Sequence, residues 1–371
     1  MNTMSETIDV SKIDKNFAAI VSNRDGLDWF PVETPGFQLD GLYWWKPGDP
    51  FRRIPLDAPP VSEQVDTRLS WHTAGAMLRF KSNTKEIHIE VQLANIWRSV
   101  HSTELLKGGF DLYIGSGNGK VFSRATMYDP ANMEYVTPIY QPGEDRGMQE
   151  FTIHFPCYGT PKFLRIGLTP GAVIEPPTPW KDPRPVVVYG TSIQQGGCAS
   201  RPGMCHTNQM SRMLNRPFIN LGFSGSGKGE PAMAEILASI EDPAMYVLDY
   251  DANAGVPGLR ATLMNVIRII REKHPVTPIL LVSQLPFHWE LGKFEYNQDR
   301  FELTEIHLNA IRQQREAGDM NIHFLDGTSL YGSDPTECTV DGVHATDLGF
   351  YMISRRMAPV IERILQNDKA I

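Results

Sequence analysis

The chain has 371 residues, long for one domain, so two are expected. With 41% hydrophobic and 21% charged residues it has material for ordinary globular cores. A formal charge of −8 argues against nucleic-acid binding, because there is no net attraction to phosphates, and no Lys/Arg cluster reverses this locally.

The stretch Met1 to Lys15 is polar and acidic and lacks the apolar core of a secretory signal. No segment nears the roughly 20 apolar residues of a membrane helix. The expectation is a soluble chain, cytoplasmic as given and periplasmic or secreted if a signal has been removed, with no membrane partner. Cys157, Cys198, Cys205 and Cys338 are too few and too scattered for a disulfide framework. Cys198 with Cys205-His206 lacks the second close pair that structural zinc needs, so no metal is expected.

Residues 1–20 read as an N-terminal arm. From 21 to 175 the pattern is one of short alternating strands. Leu69 to Leu93 holds two period-2 runs broken at Ser82-Asn83-Thr84, and Gly109–Ile114, Gly119–Tyr128, Glu150–Phe155 and Phe163–Leu168 continue in that style. A β-sandwich of roughly seven to nine strands is predicted. Then comes EPPTPWKDPRP, whose five prolines forbid a helix, and 176–185 is read as a stiff linker.

The rhythm changes over 186–371. Val186–Tyr189 is wholly apolar, as befits a strand covered on both faces. Strands at 218–221, 245–250, 279–283 and 322–325 alternate with helices at 204–214, 231–240, 259–274, 301–316 and 347–365. Strict alternation predicts an α/β fold with a doubly wound, parallel, five-stranded sheet of flavodoxin-like type. In such sheets ligands bind beyond the carboxyl ends of the strands. Four segments fall on that edge: Gly190-Thr191-Ser192-Ile193, Asn220-Leu221-Gly222-Phe223-Ser224-Gly225, Asp251-Ala252-Asn253 and Asp341-Gly342-Val343-His344.

Singly, each has an ordinary structural explanation. A Gly-Thr-Ser turn caps helices, Gly222 and Gly225 suit turns, and Asp341-Gly342 is a common turn. In order and on one edge, they supply the hydroxyl, amides, base and carboxylate of acyl transfer through a serine ester.

These segments resemble the SGNH (GDSL-like) hydrolase superfamily over roughly Val186 to Leu365, with Thr191 where the usual block has aspartate. The resemblance implies Ser192 as nucleophile, His344 as general base and Asp341 as the carboxylate that orients it. It implies an oxyanion hole from the Ser192 and Gly225 amides and the Asn253 side chain, and no cofactor. Gly109-Phe110-Asp111-Leu112-Tyr113 is similar to the G-x-D-L-Y signature of a β-rich domain preceding certain SGNH esterases, as is the run Cys198 to Met204. That implies a carboxylic ester hydrolase of the carbohydrate-deacetylase kind, with a small-molecule or oligosaccharide ester as partner.

Arg201, His288 and Trp289 are candidate substrate contacts, Trp289 by stacking on a sugar ring. A rival reading uses Gly222 to Lys228, which fits seven positions of a phosphate-binding loop but has Gly229 where a hydroxyl must hold Mg²⁺. Homo-oligomerisation, the compartment, the acyl group and the alcohol are left open, as is whether the first domain completes the cleft.

Overall fold

The computed structural model describes residues 9–20, 22, 24–97, 99–288, 290 and 298–367. The first half of the chain builds two antiparallel sheets. One has the order β1 (Asp28–Pro31), β9 (Gly159–Leu168), β4 (Ile87–Ile96), β7 (Glu134–Tyr140). The other has the order β10 (Ile174–Glu175), β3 (Met77–Ser82), β8 (Gln149–His154), β5 (Asp111–Ile114), β6 (Val121–Ala125), with β2 (Gln38–Asp40) also on β3. Inward residues such as Leu78, Phe80, Ile89, Val91, Leu112 and Ile153 form their common core.

The described residues hold ten strands here, more than the periodicity suggests. β2 and β10 are too short to show a period. β7 contains Pro138, which cannot donate to a ladder and sits on an edge strand. Leu69–Trp71 is a 3-10 turn rather than a strand, so β3 begins only at Met77. Trp45 stacks on Phe51 beside the sandwich core, and Trp44 packs against a different core. Two short helices, α1 (Glu63–Thr67) and α2 (Glu104–Gly108), lie among the strands. Residues 176–185 carry no helix or strand.

The second half is the doubly wound α/β unit. Its parallel sheet runs β12 (Phe218–Gly222), β11 (Val186–Gly190), β13 (Met245–Asp249), β14 (Ile279–Val282), β15 (Ile322–Leu325), a 2-1-3-4-5 order. Helices α3 (Ser192–Gln195), α4 (His206–Leu214), α5 (Pro231–Ala238), α6 (Asp251–Lys273), α7 (Gln298–Glu316) and α8 (Asp347–Asn367) complete it. Alternation along β11 sends Val187 and Tyr189 into one core and Val186 and Val188 into the other. Both cores also take residues from the first half: Ile54, Val65 and Leu69 in one, Ala74, Leu106, Cys157 and Tyr158 in the other.

α6 starts eight residues before the apolar period becomes visible at Leu259. Its first turn, Asp251–Ala254, is set off by Gly255, whose φ of 60° and ψ of 179° are not helical. That break gives the Asn253 segment a direction of its own. No described helix is long and apolar enough to cross a membrane.

Candidate active site

Ser192 is the first residue of α3, immediately beyond β11. Thr191 caps that helix: its hydroxyl accepts from the Ile193 amide at 3.3 Å, and Gln194 Oε1 accepts from the Thr191 amide at 2.8 Å. Threonine at this position therefore does the N-cap work open to aspartate. Ser192 Oγ lies 2.9 Å from His344 Nε2, and His344 Nδ1 lies 2.7 Å from Asp341 Oδ2.

Asp341 is held as firmly as it holds. Its Oδ1 accepts from the amides of His344 (2.7 Å) and Val343 (3.0 Å), so the turn and the base are fixed by one carboxylate. Burial pushes the Asp341 carboxyl up. The hydrogen bonds from the His344 amide and ring and the Val343 amide outweigh this and hold it below its usual range. An ionised Asp341 keeps the proton on Nδ1, which leaves the Nε2 lone pair facing Ser192 Oγ.

Ser192, Gly225 and Asn253 line one cavity of about 530 Å³ together with His344. Asn253 Oδ1 accepts from the Gly227 amide at 3.3 Å, which leaves its amide nitrogen as a donor. Gly225 sits at φ +68° with no atom within 4 Å of the place a Cβ would take. Glycine is needed there for its backbone conformation and not for space.

The phosphate-loop reading fails on the same residues. The amides of Gly222, Phe223, Ser224, Ser226, Gly227 and Gly229 are all bonded within the protein, so the loop has no nest for a phosphate. Asp249, at the end of the next strand β13, is buried and accepts from Gln194 Nε2 at 2.6 Å. Burial, with the nearby Asp251, pushes its carboxyl up.

The proposed substrate contacts fare differently. Arg201 does not line the cavity; its Nη1 donates to Asp111 Oδ2 (2.7 Å) and to Tyr113 Oη (2.8 Å). The G-x-D-L-Y segment thus anchors the loop that follows α3, with Gly203 donating to Asp111 Oδ2 at 2.8 Å and His154 Nδ1 bonded to Oδ1 at 2.9 Å. His288 also lies outside the cavity lining. Its amide donates to the Gly342 carbonyl at 2.7 Å, and a Cβ on Gly342 would run into its ring. Trp289 falls outside the described residues.

The cavity wall instead includes Trp97, Ser99, His101 and Ser102, which follow β4, and Tyr158, which precedes β9. His101 Nε2 lies 3.9 Å from Asp341 Oδ2. No local spacing marks these residues, because long-range packing of the two halves brings them to the site. Cys198 also lines the cavity, but burial and the Asp341 charge push its thiol up to about 11, which removes it as a competing nucleophile near neutral pH.

A parallel 2-1-3-4-5 sheet with this edge, preceded by an antiparallel β domain, is the fold of an SGNH-type hydrolase. A family model for GDSL-like lipases/acylhydrolases matches residues 183–362, and one for the GxDLY N-terminus of SGNH-hydrolase-type esterases matches residues 27–174. Residues 183–362 thus belong to the GDSL-like lipase/acylhydrolase family and residues 27–174 to the GxDLY N-terminal domain of SGNH-type esterases, and the chain is a carboxylic ester hydrolase. A GDSL-like lipase from Bacteroides ovatus ATCC 8483 is 27% identical with a TM-score of 0.81, over 92% of this chain and 98% of that one. The salicylyl-acyltransferase SsfX3 from a tetracycline biosynthetic pathway is similar in fold, with 18% identity, a TM-score of 0.73 and coverage of 91% and 98%. A family two carbohydrate esterase from Clostridium thermocellum, solved with cellohexaose, shares the fold at 11% identity and a TM-score of 0.58, over 86% and 99%. No curated protein gives a match.

Proposed function

We propose that the chain is a serine esterase that removes short acyl groups from uncharged esters, with O-acetylated carbohydrates as its substrate class. The observation that carries the reading is the chain of contacts from Ser192 Oγ through His344 to Asp341 at the cavity, 2.9 and 2.7 Å long. In this mechanism Ser192 Oγ attacks the acyl carbonyl while His344 Nε2 takes its proton. The negative charge on the former carbonyl oxygen is met by the Ser192 and Gly225 amides and Asn253 Nδ2. His344 then returns the proton to the departing alcohol, leaving an acyl-serine. Water, deprotonated by the same nitrogen, releases the acid and restores Ser192.

Two features support the substrate class. Among the described residues lining the cavity there is no Asp, Glu, Lys or Arg, so a substrate bearing a formal charge finds no counter-ion. The half-buried Trp97 at the cavity wall is an aromatic ring of the kind that sugars stack on. The carbohydrate esterase among the structural relatives agrees with this choice.

The test is Ser192→Ala assayed with p-nitrophenyl acetate. Turnover is expected to fall to background while the fold persists by circular dichroism, and wild-type turnover in that variant would refute the mechanism. A panel of acetylated oligosaccharides, read by released acetate, addresses the alcohol. Faster hydrolysis of long-chain, non-sugar esters than of any acetylated sugar would remove the carbohydrate assignment.

A further inference from the structure

Arg53 belongs to the N-terminal half, is 1% exposed and has no carboxylate partner among the described residues. Burying a guanidinium without a counter-charge is unfavourable unless its donors are met. Here they are met by carbonyls on both sides of the domain boundary. Nε donates to His72 O (2.8 Å) and Nη2 to Leu69 O (2.7 Å), while Nη1 donates to Asn220 O (3.1 Å) and Gly222 O (2.6 Å). The guanidinium also lies 4.5 Å from the centre of the Phe223 ring. The last carbonyls of β12, where the chain departs toward Gly225, are thus tied to the β domain by one cation.

A second tie reaches the same loop one residue before Gly225. The Tyr158 hydroxyl hydrogen-bonds Ser224 Oγ at 2.8 Å and donates to the Ser192 carbonyl at 3.3 Å. Gln195 makes a third: its Oε1 accepts from the Ser224 amide (3.0 Å), and its Nε2 donates to Cys157 O (3.0 Å) and to His72 Nδ1 (3.0 Å). Residues 220, 222, 223 and 224 are therefore held from the N-terminal side, directly or through Gln195. A hydrogen-bond donor stabilises an oxyanion fully only when it is fixed before the charge appears.

We propose that Arg53 and Tyr158 are positioning residues for the oxyanion hole, so that the N-terminal β domain is a working part of acyl transfer and not a detached binding module. The inference rests on Ser192 as nucleophile and the Gly225 amide as oxyanion donor. Displacing a catalytic group by about 1 Å can cost as much as 10²-fold in rate, which sets the size of effect to look for.

The experiment uses the full chain and compares wild type with Arg53→Lys, Tyr158→Phe and Ser192→Ala. Lysine keeps the charge but cannot span carbonyls on both sides, and phenylalanine keeps the ring but not the hydroxyl. With p-nitrophenyl acetate, kcat is expected to fall about 10- to 100-fold in folded Arg53→Lys and Tyr158→Phe, with KM within about three-fold of wild type. Phenylboronic acid provides the second readout. Ser192 Oγ adds to its boron and the hydroxyl proton passes to His344, giving a tetrahedral anion, so its Ki is expected to rise in step with the loss of kcat. Folded variants that keep wild-type kcat, or lose only KM with boronate affinity unchanged, would overturn the proposal. If Arg53→Lys does not fold, Tyr158→Phe decides it alone. Turnover in Ser192→Ala would instead strike the underlying mechanism, and so is told apart.

Discussion

Asn253 meets the Gly227 amide with its carbonyl oxygen at 3.3 Å, so one side chain both braces the glycine loop and lines the cavity, where the proposed mechanism uses its Nδ2 as a donor. Asn253→Ala removes that donor. By comparison with other oxyanion donors, kcat is expected to drop about 10²- to 10³-fold, or roughly 2.7–4 kcal/mol, with KM little changed. Steady-state kinetics on p-nitrophenyl acetate check this, and a loss of only a few-fold would take Asn253 out of the hole. At this scale Ser192, Asp341 and His344 are legible in the sequence because each sits in a short motif just past an apolar run, and Asp-x-x-His lets one carboxylate hold both turn and ring. Arg201, a candidate contact that forms a structural ion pair instead, is hard to place for the converse reason. Its partner Asp111 lies far back in the chain, and nothing near Arg201 announces the pairing.

The loop from Gly222 to Gly225 is where an element's geometry becomes chemistry. Gly225 holds φ at +68°, in the left-handed region where an L side chain costs about 1–2 kcal/mol. Because nothing lies within 4 Å of a Cβ there, Gly225→Ala carries a conformational cost without a clash. It is expected to fold, to melt a few degrees lower, and to lose activity as its amide rotates off target; calorimetry with kinetics separates the two effects. An unchanged kcat would mean that this amide does not meet the oxyanion. The five parallel strands are legible because their apolar runs are unbroken. β7 is not, since Pro138 interrupts its pattern, and neither is the first turn of α6, where Gly255 and Pro257 read as a loop.

At the scale of the whole molecule, burial keeps His72, His154 and His206, among the described residues, neutral near pH 7. Burial depresses His72 to about 3, helped by Arg53 and Arg68, and His206 to about 3. Burial also lowers His154 to about 4, against the pull of Asp111. In the unfolded chain each would take up a proton near pH 6.5. Between that value and the depressed one the unfolded state binds more protons, so stability is intact above about pH 6.5 and is lost as pH falls toward 4. Each histidine adds a slope of up to about 1.4 kcal/mol per pH unit in that window. Urea midpoints are expected to decline steeply from pH 6.5 to 5, and His206→Phe to flatten the decline; a flat wild-type profile would contradict the buried neutral rings. The division into two halves is legible from the prolines and the change of period, whereas their interlocking is not, because it arises from contacts distant in sequence. Ile54, Val65 and Leu69 are buried against Val187, Tyr189 and Ile219, which the ribosome has yet to make when those earlier residues emerge. At about 5–20 residues per second the nascent chain waits several seconds or longer with that greasy seam uncovered. Chaperone demand should therefore peak midway through translation and end once the α/β portion arrives to dock.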